Sequence, residues 1–384
     1  MWRAIASNAI TMLIVVLFLL GGVILFGQSQ YKAEGPLEEA ICLRVERGSN
    51  MSRVSRDLEG KGAITNGTLF RLGAEYSDKS GALKAGSFLI PAGATMADIT
   101  DIVTRGGAST CGTEVVYRIG VTQQSVQVRE LDPATTKFVE VAAFDPKAEE
   151  FPQSYTQVRG QPDTRYRISV AEGVTSWQVM DALHGIDLLT GEIERPEEGS
   201  LAPDSYEVRA GDTRASVIER MQDAQRVLLE AAWEGRSDAV PLSTPQELLI
   251  LASIIEKETG VPEERGTVAS VFVNRLKRGM RLQTDPTVIY GLTEGKAPLG
   301  RGLRKSELAK RTPYNTYVIE GLPPTPIANP SEASIRAVAN PDQTDYLFFV
   351  ADGTGGHAFA TTLDEHNRNV ANWRRIERER QEEN

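Results

Sequence analysis

The hydrophobic pattern of the chain begins with an interval that has almost no polar positions. No charged residue occurs between Arg3 and Lys32, and Ile10–Gly27 (ITMLIVVLFLLGGVILFG) carries Thr11 as its only polar side chain. At 1.5 Å per residue, such a helix with uncharged flanks can cross a hydrocarbon layer of ~30 Å. The pattern predicts a cytoplasmic tail over 1–9, a transmembrane anchor over 10–27 and a linker over 28–40. A cleaved signal peptide would have a shorter apolar region ending in an A-x-A-like site, whereas GQSQYK follows here. Arg3 lies before the span and Glu34, Glu38 and Glu39 lie after it, so the positive-inside rule puts the remainder outside the cytoplasm.

Beyond the anchor, polar and apolar positions recur in two registers. LKAGSFLIPAGATMADI (83–99) resembles LAPDSYEVRAGDTRASV (201–217), with Ser87/Ser205, Phe88/Tyr206, Ile90/Val208, Gly93/Gly211 and Thr95/Thr213 aligned. Upstream, LRVERGSNMSRVSRDL (43–58) resembles ISVAEGVTSWQVMDAL (168–183), aligning Gly48/Gly173, Val54/Val179 and Leu58/Leu183. Each copy predicts a strand, a Gly turn, an amphipathic helix, a second helical stretch, a strand, a turn and a further helix. Thr95 and Thr213 sit where N-caps belong. Units of this β-α-α-β kind resemble LysM-type glycan-binding modules, over 41–107 and 167–225; a duplicated structural spacer would share the pattern. Between them, residues 108–166 match neither copy. VQVRELD and KFVEVAAF alternate as strands do, while DPKAEEFPQ and GQPDT read as loops, which predicts a small β insertion.

From residue 226 to 384 the pattern is that of a separate, mixed α/β domain, so the overall class is α+β. A helix runs through VLLEAAWEG. A second, PQELLILASIIEKET, starts with Thr244 as N-cap and Pro245 at its first position, and ends at Gly260 and Pro262. At about 100° per residue, Leu251, Ile254, Ile255 and Glu258 fall on one stripe, whereas Glu256 lies about 140° away on the polar side, toward solvent. A core-facing Glu is disfavoured as a charge, which raises its pKa and suits a general acid. The competing possibilities are that the stripe ends before Glu258, that Arg275 pairs with it, or that Glu256 is the acid instead. Next come an amphipathic helix and a loop bearing Gln283, Thr284 and Asp285 (264–292), then RTPYNTYVIEGLPPTPIANP (311–330) and YLFFVADGTGGHAFATTLDEHN (346–367). These segments combine aromatic rings with amides and hydroxyls, a lining suited to carbohydrate. NWRRIERERQEEN reads as a charged helix end or frayed tail.

Composition removes several function classes. With 42 Lys+Arg against 52 Asp+Glu the net charge is −10, against a nucleic-acid binder held by a basic field. Three His and two Cys leave little for a metal centre: His184, His357 and His366 form no H-x-x-x-H, and His357 is expected to bond within its own Gly-rich turn. GTGGH lacks the P-loop pattern, and no serine elbow or partnered thiol stands out. Cys42 and Cys111 flank the first module, either as a disulfide across a loop of about 70 residues or as two buried thiols.

LASIIEKETG, VFVNRLKRGMRLQTDPTVIYG, TPYNTY, GLPPTPIANP and FFVADGTGGHAF together resemble the signature blocks of the endolytic murein transglycosylase, or YceG-like, family. The resemblance covers most of 241–367. Upstream it rests on EGSLAPDSY, where Ser200, Ala202 and Ser205 replace the aromatic and Thr residues more usual in the family. It implies an N-terminal membrane anchor and LysM-like region joined to a catalytic domain, and an extracytoplasmic enzyme of the bacterial inner membrane. The implied reaction is non-hydrolytic cleavage of the MurNAc–GlcNAc bond of peptidoglycan, leaving 1,6-anhydro-MurNAc ends, with Glu258 as the catalytic residue and Thr259 after it. Gln283, Tyr314 and Asn315 are candidates for holding the sugar or orienting Glu258, with core packing as the competing role for Tyr314. Asp285 either stabilises developing positive charge or caps a turn. The implied partners are peptidoglycan strands, the membrane and peptidoglycan synthases, with no cofactor, metal or nucleic acid. A catalytically silent peptidoglycan-binding scaffold is the alternative, but a scaffold has no reason to keep a carboxylate in an apolar stripe.

Overall fold

The computed structural model describes residues 2–105, 110–161 and 164–383. The expected module border at 107/108 and the middle of the GQPDT loop lie outside these residues. The chain divides into two compact units, Met1–Val116 with Gln127–Phe144 and Ala148–Tyr166, and Tyr117–Val126 with Asp145–Lys147 and Arg167–Asn384.

The first unit starts with α1 (Trp2–Tyr31), long and apolar enough over Thr11–Tyr31 to cross a membrane. The helix continues past the expected end at Gly27, because no Pro interrupts it until Pro36. At its end the Tyr31 hydroxyl donates to Thr100 Oγ1 at 2.7 Å. There follow β1 (Ile41–Val45), α2 (Met51–Gly60), α3 (Gly67–Tyr76), β2 (Gly86–Ile90) and α4 (Met96–Thr104), in the order expected for the first repeat. β1 and β2 pair antiparallel, Leu43 opposite Phe88. Their inner side chains meet Val54, Leu58, Phe70, Ile99 and Val103 in one apolar core. Asn50, Asn66 and Thr95 cap the three helices; Thr95 does so in a capping box with Asp98. Cys42 and Cys111 form a disulfide with a Cα–Cα distance of 5.7 Å.

β3 (Thr113–Ile119), β4 (Gln124–Asp132), β5 (Lys137–Phe144), a short α5 (Gln153–Val158), β6 (Arg165–Val170), α6 (Ser176–His184) and β7 (Ser205–Val208) come next. Their strands form a five-stranded sheet in the order β5-β4-β3-β6-β7. The expected β insertion supplies three of its strands. The second repeat also departs from expectation, since no helix forms between α6 and β7. That stretch contains Pro196 and Pro203, and Gly191 and Gly199 at φ of 80° and 81°, which together break any helical register.

In the second unit Thr213 caps α7 (Arg214–Glu234), a single helix that runs through the expected border at 225/226. After it come α8 (Pro245–Glu258), α9 (Arg265–Lys277), α10 (Asp285–Thr293), α11 (Lys305–Ala309), α12 (Glu332–Ala339), β8 (Phe348–Ala351), β9 (His357–Ala360) and α13 (Leu363–Glu383). β8 and β9 make an antiparallel hairpin whose turn is the Gly-rich segment. α8 starts as expected, Thr244 accepting from Glu247 N with Pro245 in the first turn. Its middle does not present a polar face: every residue from Leu248 to Ile255 is buried, and α7, α9, α10 and α12 pack around it. Ser253 is the one hydroxyl in this run. It fits because it donates to Ile250 O at 2.7 Å and accepts from Ile327 N at 3.0 Å.

Candidate active site

Because α8 is buried all round, helical phase does not single out Glu258; its place at the helix end does. Glu258 is the last residue of α8, half-buried, followed by Thr259 as the C-cap. Thr259 Oγ1 accepts from Val261 N at 3.0 Å, turning the chain sharply away from the carboxylate. Glu258 Oε1 accepts a hydrogen bond from Thr284 Oγ1. Burial pushes the Glu258 pKa above the ordinary carboxylate range, and the nearby Asp285 charge adds to this. The Thr284 hydrogen bond, His357 and Arg275 act in the opposite direction without reversing it.

Arg275, the expected competitor for the carboxylate, is directed elsewhere. It is 7% exposed. Its Nε donates to Leu347 O at 2.6 Å and its Nη1 to Leu282 O at 2.5 Å, while the guanidinium lies over the Phe348 ring. It influences Glu258 through charge alone.

Glu256 is not in solvent, which corrects the helical-face expectation. Its Oε2 accepts from Ser331 N (2.9 Å), Ser331 Oγ (2.6 Å) and Ser334 Oγ (2.7 Å) at the N-terminus of α12. Negative charge is favoured there by the unpaired amides of the first turn. Beside it, Lys257 Nζ donates to Gly173 O at 3.2 Å, and burial lowers the lysine pKa. Both side chains fasten the turn that presents Glu258.

Around Thr284 the chain forms a compact hydroxyl network. Thr284 N donates to Thr316 Oγ1 at 3.0 Å, Thr287 Oγ1 donates to Thr284 O at 2.9 Å, and the Thr287 and Thr316 hydroxyls are 2.9 Å apart. Gln283 is exposed and holds a left-handed backbone (φ 48°), with its N–H on Thr316 O at 3.2 Å. Asp285 is exposed in the first turn of α10 and accepts from the Tyr317 hydroxyl at 2.6 Å. Burial, reinforced by Asp285, raises the pKa of Tyr317.

Tyr314 and Asn315 differ from these in accessibility. The Tyr314 ring packs 5.1 Å from that of Tyr290, and its hydroxyl lies 2.8 Å from Thr325 Oγ1. Asn315 is 0% exposed, with its amide nitrogen within 2.7–3.1 Å of the carbonyls of Glu307, Leu308 and Lys310. Its side chain closes the loop and is not free to meet a ligand. His357 also departs from expectation. It bonds across to Glu264, Nδ1 to Oε2 at 2.7 Å and N to Oε1 at 2.9 Å. Gly356 allows this, since a Cβ there would stand 2.5 Å from Glu264 Oε1.

Sequence reasoning did not single out Thr284, Thr316 or Tyr317 as site residues. A partial signal for Thr284 was available: it precedes Asp-Pro, and Pro286 has no N–H for an N-cap hydroxyl to accept from, although the Thr287 N–H remains. A cleft of about 840 Å³ over α7 and α12, lined by Ala202, Asp204, Val227 and Glu332 among others, contains none of the candidate residues. Among the described residues no group of three or more His, Cys, Asp or Glu is arranged to hold a metal ion.

Residues 43–372 match the model of the YceG-like family. An endolytic murein transglycosylase of Bacillus subtilis (strain 168) is 32% identical over 351 residues, 91% of this chain and 89% of that protein. One from Streptococcus pneumoniae (serotype 2, strain D39) is 27% identical over 338 residues, 86% of this chain and 58% of that protein. A solved structure of a yceG-like protein from Listeria monocytogenes is 26% identical, covers 86% of this chain and 99% of its own, and has a TM-score of 0.46.

Proposed function

The chain belongs to the YceG-like family, and on that premise we propose that it is a membrane-anchored endolytic murein transglycosylase. It cleaves the MurNAc–GlcNAc bond of nascent glycan strands to leave 1,6-anhydro-MurNAc ends and so terminates strand growth. The observation that carries this reading is the Glu258 carboxyl at the end of a buried helix, held above its ordinary pKa and not neutralised by an arginine.

Glu258 begins protonated and donates to the leaving glycosidic oxygen as the C1–O bond breaks, through an oxocarbenium-like transition state. The resulting carboxylate takes the proton of the MurNAc 6-hydroxyl as that oxygen closes on C1. One carboxyl serves both steps because the nucleophile is intramolecular and no water has to be positioned. Asp285, exposed beside Glu258, stabilises the developing positive charge, and Gln283 hydrogen-bonds the sugar. Tyr314 and Asn315 hold the loop that carries Tyr317.

The α1 helix anchors the chain in the inner membrane with the rest outside. The disulfide supports that orientation, because such bonds persist in oxidising compartments. The strand-helix-helix-strand order of the first repeat supports a LysM-like role in holding glycan, and peptidoglycan synthases are the expected partners. As a test, Glu258→Gln should lower release of anhydro-ended fragments from purified peptidoglycan by about 10²–10⁴-fold, the range for losing a general acid. Glu256→Gln should retain activity. The opposite result for the two variants would overturn the assignment.

A further inference from the structure

Glu258 has two oxygens, and the reaction proposed above needs the acidic proton on the one that faces substrate. Thr284 treats the two differently. Thr284 is 2% exposed, and its hydroxyl donates to Oε1. An N-cap threonine ordinarily accepts from amides of the first helical turn, but Thr284 makes no such capping bond at the start of α10. A hydroxyl has one donor besides its acceptor sites, and Thr284 directs that donor at the carboxyl. Its backbone is held on both sides by Thr316 Oγ1 and Thr287 Oγ1, and the residue is buried.

We propose that Thr284 is a positioning residue that fixes the reacting proton on Glu258 Oε2 by donating its own hydrogen to Oε1. While Oε1 accepts, the protonated form of Glu258 keeps its hydrogen on Oε2. That oxygen gives the proton to the glycosidic oxygen as the C1–O bond breaks, and takes one back from the 6-hydroxyl as O6 bonds to C1. Thr284 keeps its proton throughout, so the cycle closes with no net transfer to the hydroxyl. In the carboxylate that forms midway, the same hydrogen bond stabilises the charge. This inference rests on the transglycosylase reading.

The test is the pH–rate profile of the full chain on purified peptidoglycan for the wild type, Thr284→Val and Thr284→Ser. Loss of the hydroxyl should lower kcat by at least about tenfold with KM nearly unchanged, the scale of a hydrogen bond to a charged group. The alkaline limb, where Glu258 loses its proton, should move to higher pH, since the bond that favours the carboxylate is gone. Serine should restore both rate and profile. Thr284→Ala, which adds no bulk, carries the same expectation should valine disturb the packing. A hydroxyl-free variant with wild-type kcat and profile would overturn the proposal. A faster one would also do so, by showing that Thr284 accepts the Glu258 proton and withholds it. If the wild type itself gives no anhydro ends, the transglycosylase reading fails first, which distinguishes the two failures.

Discussion

At the scale of single residues, burial at the end of α8 raises the pKa of Glu258 and makes its charge a burden on the fold. Its folded pKa is raised, so the folded state binds its proton more tightly than the unfolded chain does. The stabilising contribution is present below the unfolded pKa and is lost as pH rises through the folded one. Thermal melting of the wild type and Glu258→Gln should therefore diverge toward neutral pH, with the Gln variant melting higher, and converge in acid. A gap that is constant or reversed would mean the carboxyl is not desolvated. Activity should fall over the same rise in pH as the acid ionises. The raised pKa expected of Glu258 agrees in direction with the structure, but its cause is the place of Glu258 at the helix end and not the helical phase, since α8 is buried all round. Glu256 was misread because its partners, Ser331 and Ser334, lie 75 and 78 residues away.

At the scale of elements, α8 is fastened along its length by the segment that follows Pro326. Ser253 accepts from Ile327 N, and Glu256, three positions on, accepts from the start of α12. The Ser253–Ile327 bond gives the IANP stretch a structural role that its sequence does not disclose. Glu256→Ala should cost about 1–3 kcal/mol in denaturant unfolding, the price of leaving amide and hydroxyl donors without their acceptor. A change within a few tenths of a kcal/mol would show that the α12 contact is dispensable. Helix starts were readable here: Thr95, Thr213 and Thr244 all cap as their neighbours imply, since capping is decided within four residues. Sheet order was not. Nothing local in VQVRELD or KFVEVAAF discloses the order β5-β4-β3-β6-β7.

At the scale of the whole molecule, an apolar N-terminal helix, a disulfide-closed first repeat and a helix-rich unit carrying the acid lie on one chain, and the family match extends from 43 to 372. Ordered signature blocks, from LASIIEKETG to FFVADGTGGHAF, made the family legible, because loops that line a site combine residue types that core packing alone does not require. The repeats were legible only in part: strands and caps repeat, but the prolines and glycines of 185–204 remove a helix from the second copy. The central claim concerns chemistry at one bond, and the products record it. Mass spectrometry of glycan fragments released from purified peptidoglycan by the wild-type chain should find 1,6-anhydro-MurNAc ends, lowered by about 10²–10⁴-fold with Glu258→Gln. Reducing MurNAc ends in their place would mean that water attacks C1, and would contradict the account.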